Sequence, residues 1–209
     1  MQQDSGRRSN RDRTEATRTD LIRAARKLFT EKSYAETGTP EIVVIAGVTR
    51  GALYHHFADK QALFAAVVEQ EAATVAAEID RASPPTLSAR DALIAGSDAY
   101  LAAMRAPGRT RLLLLDGPAV LGRATMDEID NRHSNRSLRE GLVAAMRAQS
   151  MKRLPIEALT ALLAAAFDRA ALAIEAGAPA EDYRAVLLAL MDCLSPAPPP
   201  PSTRRAPSR

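Results

Sequence analysis

Apolar residues along this chain recur at the spacing of amphipathic helices, with polar residues at the positions between them. The clearest example is a set of four residues at the i, i+4, i+7 and i+8 positions of one helical face: Leu21, Ala25, Leu28 and Phe29. Alternating strand-like runs are absent, and the residues between the two ends are rich in Ala, Leu, Glu and Arg, which favour helices. The pattern therefore predicts an all-α protein of about nine helices.

Capping residues, glycines and prolines divide this pattern into separate helices. Thr39 and Pro40 are typical of an N-cap and a first helical position, and Gly47 is expected to end that short helix. Thr49 and Asp59 are expected to cap the next two helices. The predicted helices span residues 14–31, 39–46, 50–57, 59 to beyond 78, 88–107, 109–115, 126–150, 155–176 and 180–194.

The first three of these helices predict a helix-turn-helix motif over about residues 38–57. Gly47 suits the sharp turn because glycine adopts the left-handed conformation freely. In the third helix, Leu53 and Phe57 lie four positions apart and are expected to face inward. The opposite face carries polar or small residues: Arg50, Gly51, Tyr54 and His55. A recognition helix needs such a face, because its side chains must reach base edges and its backbone must approach the groove.

The distribution of charge separates the two parts of the chain. The 209 residues are 46% hydrophobic and carry a net charge of +3. Residues 1–60 hold 11 Lys/Arg against 8 Asp/Glu, whereas residues 61–194 hold 14 against 17. Residues 195–209 add three arginines. The basic excess therefore lies at the two ends of the chain, around an acidic middle, as expected for a nucleic-acid-binding head on a larger body. Charge alone fits an ordinary solvated surface equally well.

Both ends of the chain, and its single cysteine, limit the class of protein further. Residues 1–13 are polar and arginine-rich and residues 195–209 are proline-rich, so a disordered basic arm and a disordered tail are expected. No apolar run is long enough to span a membrane, and no secretory signal is expected. Cys193 has no partner for a disulfide and is expected in the core. These points indicate a cytoplasmic protein.

Two stretches of the sequence are similar to a known protein family. AARKLF, with Tyr34 five residues after it, and AGVTRGALYHHFADKQALF resemble the DNA-binding head of the TetR family of bacterial transcriptional regulators. The similarity implies a DNA-binding domain at residues 14–75 and a ligand-binding and dimerisation domain at residues 76–194. One departure is the apolar run at residues 43–45 (Val43, Val44 and Ile45), which either packs against the body or forms an exposed patch.

The resemblance also implies which side chains contact DNA. Arg50 is expected to read a base, because a guanidinium can hold guanine through two hydrogen bonds, and Lys60 is expected to bind a phosphate. The implied DNA-binding residues are Thr39, Thr49, Arg50, Gly51, Ala52, Tyr54, His55 and Lys60. His55 and His56 are adjacent, so they cannot share a helix face as metal ligands.

The helices of the body are expected to bind an effector and to form a dimer. The residues implied to surround an effector pocket are Tyr100, Met104, Leu113, Asp116, Met126, His133 and Phe167. A plain packed core explains these residues equally well. The last two helices form either the core of a monomer or a four-helix bundle with a second subunit. The implied dimer interface consists of Leu159, Leu162, Leu163, Ala166, Tyr183, Leu187 and Leu190.

Two functions follow as hypotheses. The first is a ligand-responsive transcriptional regulator, a homodimer that represses from a palindromic operator and is released by an unidentified small molecule. The alternative is a helical binding or enzyme module in which the helix-turn-helix is only structural. That alternative leaves the face formed by Arg50, Tyr54, His55 and Lys60 unexplained. No enzyme activity, cofactor, metal or membrane partner is expected, because no nucleophile or paired carboxylates stand out near His133.

Overall fold

The computed structural model describes residues 4–196, with side chains from residue 12 onward. Within these residues the fold is entirely helical, which confirms the all-α prediction, and it has one helix more than predicted. The ten α-helices are α1 (Asp4–Glu31), α2 (Thr39–Ala46), α3 (Arg50–His56), α4 (Lys60–Ala82), α5 (Ala89–Met104), α6 (Gly117–Leu121), α7 (Arg123–Arg132), α8 (Ser134–Arg147), α9 (Ile156–Glu175) and α10 (Ala180–Cys193). A π-helical segment (Arg111–Asp116) runs directly into α6.

Helices α1–α3 and the start of α4 form a small head around aromatic rings. The rings of Phe29, Tyr34 and Phe64 lie with their centroids between 4.9 and 5.7 Å apart. Leu21 and Phe29 are fully buried, so the predicted inner face of α1 is confirmed. Large rings suit this head because each one buries a large apolar area in a small volume.

Helix α4 belongs to both the head and the body, because it packs on α1 and also on α5 and α8. At its start, Gln61 Nε2 donates a hydrogen bond to the carbonyl of Val120 in α6 (2.7 Å). One cluster of buried residues runs from Leu21 through Val67 to Met104, and a second lies between α5, α8, α9 and α10. A displacement of α4 must therefore disturb the packing of the head as well as that of the body.

A buried ion network joins α1, α4 and the loop after α5. The Glu71 carboxylate, 5% exposed, accepts hydrogen bonds from Arg26 Nε (2.7 Å) and Arg109 Nε (2.9 Å). Burial alone would raise the pKa of Glu71, but the hydrogen bonds from both arginines outweigh it and lower the pKa below its ordinary value. Beside this Glu71 network, Gly108 has φ +72 and lies so close to Thr30 of α1 that a Cβ would stand 2.6 Å from the Thr30 Cβ.

The backbone winds more widely just before α6. The N–H of Gly117 bonds to the carbonyl of Leu112, five residues earlier, as in a π-helix. A Cβ on Gly117 would lie 2.9 Å from both that oxygen and the Sδ of Met126, so glycine is required by close packing. The interruption predicted at Gly117 is therefore a change of winding, and Pro118 lies in the first turn of α6, where no backbone N–H is needed.

The ends of several helices differ from the sequence-based expectation. Helix α1 begins at Asp4, so residues 4–13 of the predicted disordered arm are helical, and no proline interrupts them. Residues 1–3 and 197–209 lie outside the described part of the chain. The N-cap of α2 is Gly38, in an extended conformation, and Thr39 is the first helical residue. Cys193 is exposed rather than in the core, because it lies on the outer face of α10.

The single helix predicted over residues 126–150 is two helices, α7 and α8, that meet at His133. This residue has φ −122 and ψ −108, outside the helical region. Its Nε2 lies 2.6 Å from Glu69 Oε1 on α4, and Arg132 Nη2 lies 2.7 Å from the other oxygen of the same carboxylate. The helix therefore breaks where these two side chains pair with α4, although the sequence has no proline or glycine there.

Candidate nucleic-acid interface and ligand cavity

The turn between α2 and α3 is held by backbone and capping hydrogen bonds. Gly47 has φ 66 and ψ 29, so the left-handed conformation predicted for it is confirmed. The N–H of Val48 bonds to the carbonyl of Val43 (3.1 Å). Thr49 caps α3 as predicted, since its Oγ1 accepts a hydrogen bond from the N–H of Ala52 (3.1 Å). The start of α3 is therefore fixed relative to α2.

Helix α3 has the two faces that its sequence predicts. Leu53 and Phe57 are buried against the head. The side that faces solvent holds most of the predicted DNA-binding residues: Thr49, Arg50, Gly51, Tyr54 and His55 are exposed, and Ala52 is half-buried. A surface of this shape and polarity can enter a major groove.

Three of the predicted DNA-binding side chains form one connected group. The Arg50 guanidinium carbon lies 5.5 Å from the centroid of the Tyr54 ring, a cation–π distance. Interactions with the side chain of Thr39, and secondarily with Arg50, lower the pKa of the exposed Tyr54 hydroxyl below its ordinary value. Thr39 lies on α2, so this group includes residues of both helices of the motif.

Lys60, predicted to bind a phosphate, has protein partners in this structure. Its Nζ donates hydrogen bonds to the carbonyls of Tyr34 (2.9 Å) and Thr37 (3.0 Å), and it lies 4.1 Å from the centroid of the Tyr34 ring. An ammonium has three N–H donors, so one remains for another acceptor. Lys60 holds the first turn of α4 against the α1–α2 loop, and its contact with DNA stays a prediction.

The apolar run in α2 favours an exposed patch over packing against the body, because two of its three residues are exposed and the third packs within the head. Val43 is half-buried and packs against the core of the head, whereas Val44 and Ile45 are exposed. The two exposed side chains lie at the end of α2, next to the turn that leads into α3.

The body contains a cavity of about 560 Å³ between α4, α5, α8 and α9. Its apolar wall includes Ile79 of α4, Leu93 and Tyr100 of α5, Leu138 of α8 and Phe167 of α9. A smaller cavity of about 100 Å³ lies on the other side of a shared wall: Tyr100, Ser134, Asn135, Ala164 and Asp168 line both. The larger volume is within the range of small-molecule binding pockets.

The structure brings together only some of the residues predicted to surround a pocket. Tyr100 and Phe167 line the larger cavity, and Tyr100, Met104 and Leu113 line the smaller one. The other three line neither cavity. Met126 is packed in the core against Gly117, His133 pairs with Glu69, and Asp116 lies 3.4 Å from Arg111 Nε. Met126 and His133 contact residues of other helices, whereas Asp116 pairs within its own π-helical segment.

Two carboxylates at the cavities were missed by the sequence analysis. Asp168 accepts a hydrogen bond from the Tyr100 hydroxyl (2.6 Å), and burial raises its pKa despite that bond. Burial, followed by the charge of Asp168, raises the pKa of Asp130 to about 6. The same two causes raise the pKa of Tyr100. A signal existed in the sequence, because Asp168 directly follows Phe167, a residue of the apolar stripe of this helix.

The outer side of α9 and α10 is apolar and uncovered. Leu162, Val186 and Leu190 are 71%, 60% and 47% exposed. The α9–α10 face is defined here by the exposed residues of both helices other than charged ones: Ala158, Ala161, Leu162, Ala165, Ala185, Val186, Ala189, Leu190 and Cys193.

This placement corrects part of the predicted dimer interface. Leu163 and Leu187 are buried in the core of the subunit itself, because they point toward α8 and toward each other's helix rather than outward. Leu159, Ala166 and Tyr183 are half-buried against the same core. Only Leu162 and Leu190 of the predicted set belong to the α9–α10 face, which Val186, absent from that set, extends.

No helix within residues 4–196 is both long enough and apolar enough to cross a membrane. The exposed polar face of α3 on a fixed turn, together with a cavity in a helical body, is typical of a helix-turn-helix transcriptional regulator.

Comparison with known proteins identifies the family. The model described as "Tetracyclin repressor-like, C-terminal domain" matches residues 90–196, and the model described as "Bacterial regulatory proteins, tetR family" matches residues 21–67. The first match alone covers half of the chain. The protein belongs to the TetR family.

Individual relatives agree with this assignment. A TetR-family transcriptional regulator from Pectobacterium atrosepticum, known from a crystal structure, is 33% identical over 90% of this chain and 98% of its own, with a TM-score of 0.73. The transcriptional repressor AcnR of Corynebacterium efficiens is 34% identical over 65 residues, 31% of this chain and 35% of AcnR. The transcriptional activator FasR of Mycolicibacterium smegmatis is 32% identical over 94 residues, 45% of this chain and 43% of FasR. The chain thus matches less than half the length of these two curated relatives.

Proposed function

We propose that this protein is a dimeric repressor that binds a palindromic operator and releases it when a small-molecule effector enters the body. The observation that carries the proposal is the exposed face of α3, where Arg50, Tyr54 and His55 lie on a helix held by a fixed turn. A purely structural role accounts for the buried Leu53 and Phe57 but leaves the polar face without a purpose. The basic balance of residues 1–60 supports DNA as the partner.

The α9–α10 face supports a second copy of the chain as the other partner. Two such faces related by a two-fold axis would form a four-helix bundle, and the exposed alanines allow the helices to approach closely. A two-fold dimer carries two copies of α3 in opposite orientations, so its operator must have the same symmetry. The palindrome follows from the dimer.

Control by the effector is proposed to act through α4. Ile79 near the end of this helix lines the large cavity, Glu71 at its middle is bonded to α1, and Gln61 at its start is bonded to α6. A ligand that prefers one position of α4 shifts the protein toward that position, and with it the spacing of the two heads. Operator binding must then weaken ligand binding by the same factor.

The proposal is tested on the DNA upstream of the protein's own gene. Fluorescence anisotropy with tiled fragments should find one palindromic fragment that binds well above the rest, and footprinting should show symmetric protection. A reporter under that promoter should become more active when the gene for the regulator is deleted. A loss of reporter activity would instead indicate activation, as the name of FasR states for that relative. Equal, weak binding to every fragment would favour the alternative in which the helix-turn-helix is only structural.

Substitution of Arg50 by alanine should relax the preference for one base pair in each half-site. A guanidinium that holds a base through two hydrogen bonds contributes about 1–3 kcal/mol of discrimination per half-site. The measurement is the affinity for a set of operators that carry each base at each position. Arg147→Ala, which removes an exposed arginine from α8, is the matched control and should change nothing. Equal weakening of every operator would show that Arg50 contacts a phosphate instead.

Substitution of Lys60 by alanine should reduce the salt dependence of operator binding. Each phosphate contact contributes about 0.9 to the slope of log affinity against log salt, so two copies of Lys60 predict a loss of about 1.8 for the dimer. Lys152→Ala is a matched control, because its Nζ also donates to a backbone carbonyl (2.9 Å) but lies in the body. A lower free energy of unfolding with an unchanged slope would mean that Lys60 serves only the α1–α2 loop.

A further inference from the structure

The larger cavity is lined by carboxylates and by no basic side chain. Its acidic residues are Asp80, Glu140 and Asp168. Two of them are neutralised from outside the wall by Arg136, whose Nη2 lies 2.9 Å from Asp80 Oδ2 and whose Nη1 lies 3.6 Å from Glu140 Oε2. Both are also exposed. Among the described residues of this cavity wall, Asp168 is therefore the one acidic residue that is neither exposed nor paired with Arg136.

Asp168 is half-buried and its hydrogen-bond partner is neutral. The Tyr100 hydroxyl donates to its Oδ1 at 2.6 Å, and within the described residues no arginine, lysine or histidine forms an ion pair with it. Asp130 is near enough for the two negative charges to repel each other, and it too lacks an ion pair in this part of the chain. The arginine that faces them, Arg123, is exposed and paired with Asp127 (Nε–Oδ1 3.2 Å). A buried carboxylate without a cation is costly unless a proton or a ligand supplies the positive charge.

Aromatic rings complete the surroundings of Asp168. Tyr100 and Phe167 line the same cavity, with their ring centroids 5.8 Å apart in an edge-to-face arrangement. Ring faces attract organic cations, most strongly where water is excluded. Apolar residues from four helices surround the remaining volume of about 560 Å³, which has room for an apolar body attached to the charged group.

We propose that the effector is an organic cation, a protonated amine or quaternary ammonium with an apolar body, whose positive charge lies against Asp168 and beside the rings of Tyr100 and Phe167. The inference rests on the proposed function, in which this cavity holds the effector. An anionic ligand is disfavoured, because the cavity wall offers it no basic side chain. A neutral ligand would leave the charge of Asp168 uncompensated.

Dansylcadaverine and its N-acetyl derivative test the charge directly, because they share one fluorophore and differ by a single positive charge. Binding in the cavity should enhance dansyl fluorescence, and the amine should bind about tenfold or more tightly than the acetylated compound. The trimethylammonium analogue separates the two kinds of cation, since it carries the charge without an N–H donor. Dansylglycine, an anion, should bind most weakly of the four.

The residue assignment is tested by variants that remove a carboxylate and keep its shape. Asp168→Asn should bring the amine and the acetylated compound to within about twofold of each other, while the affinity for the acetylated compound stays unchanged. Asp80→Asn is the matched control, since this carboxylate lines the same cavity but is paired with Arg136. Circular dichroism and operator binding without ligand establish that each variant is folded.

The affinity for dansylcadaverine should also depend on pH. The groups that face Asp130 are Asp168 and Tyr100 on α9 and α5, Arg123 and Asp127 on α7, and His133 at the break between α7 and α8. A proton occupies Asp130 below its raised pKa of about 6, so the cation should bind about twofold more weakly at about pH 5 than at about pH 7, no more than the preference that remains in Asp168→Asn. The N-acetyl compound should show no such change, and Asp130→Asn should flatten the profile for the amine.

The outcomes test the cation proposal and the proposed function separately. Equal or tighter binding of the neutral or anionic dansyl compound, a preference for the amine that survives in Asp168→Asn, or no binding of the amine at millimolar concentration overturns the cation proposal. Operator release is measured in parallel by anisotropy. A cation preference without any effect on operator binding supports the cation site and contradicts effector control. Release of the operator by the neutral or anionic compound supports effector control and contradicts the cation.

Discussion

Replacement of Leu162 by glutamate should convert the proposed dimer into monomers that remain folded. Leu162 is 71% exposed at the centre of the exposed part of α9, so its side chain contributes little to the subunit's own core. In a dimer it would be covered, and a carboxylate there would lose its water without gaining a partner. Each substitution occurs twice in a two-fold dimer. A loss of about 2 kcal/mol per subunit therefore lowers the free energy of dimerisation by about 4 kcal/mol, and the affinity between subunits falls roughly a thousandfold. Analytical ultracentrifugation at micromolar concentration measures this change directly.

Two further substitutions make the dimer prediction specific to one surface. Leu115→Glu places the same charge on an exposed leucine of the π-helical segment, away from the α9–α10 face, and should leave the dimer intact. Leu163→Glu changes the residue next to Leu162, but that residue is buried within the subunit, so the expected result is unfolding. A dimer that persists in Leu162→Glu, or a wild-type protein that sediments as a monomer, would contradict the proposed interface.

Replacement of Glu71 by alanine should lower the free energy of unfolding by about 3–5 kcal/mol, because it leaves the buried Arg109 guanidinium without its counter-ion. The Arg109 side chain is 8% exposed, so water cannot replace the lost carboxylate. Denaturant unfolding measures the change. Glu78→Ala is the matched control: this carboxylate approaches Arg109 only to 3.4 Å and is 34% exposed, and its loss should cost less than about 1 kcal/mol. Equal effects of the two substitutions would show that Glu71 stabilises the fold no more than Glu78 does.

The direction of the pKa shift at Glu71 gives this prediction a dependence on pH. A carboxylate whose pKa is lowered by folding stabilises the protein above its unfolded value and stops doing so as the pH falls through its folded value. The wild type should therefore lose the contribution of Glu71 below about pH 4. The difference in stability between wild type and Glu71→Ala should shrink over the same range.

Local signals in the sequence were sufficient to predict most helices and the recognition face. Gly47 and Thr49 act on residues within a few positions of themselves, so the turn they form can be predicted without knowledge of the rest of the fold. The same holds for Leu53 and Phe57, whose spacing alone separates the buried face of α3 from the exposed one. These predictions depend on hydrogen bonds and periodicity within one segment.

The features that the sequence could not predict depend on contacts between distant segments. Leu162 and Leu163 are adjacent and equally apolar, and only the position of α8 determines which of them is buried in the subunit. His133 ends α7 where its ring meets Glu69, a residue 64 positions away. Asp168 faces a cavity whose walls come from four helices, so its environment could not be inferred from α9 alone.

The wide turn before α6 has a consequence for changes in chain length. A π-helical turn contains one residue more than the α-helical turn it replaces, and the N–H of Gly117 reaches back five residues to Leu112 for that reason. Loss of one residue between 111 and 116 would tighten this turn to ordinary α-helical winding and leave the flanking residues facing their present neighbours. The segment contacts both α1 and α4. A deletion of one residue can therefore be accommodated at the junction of head and body without a shift in the register of either.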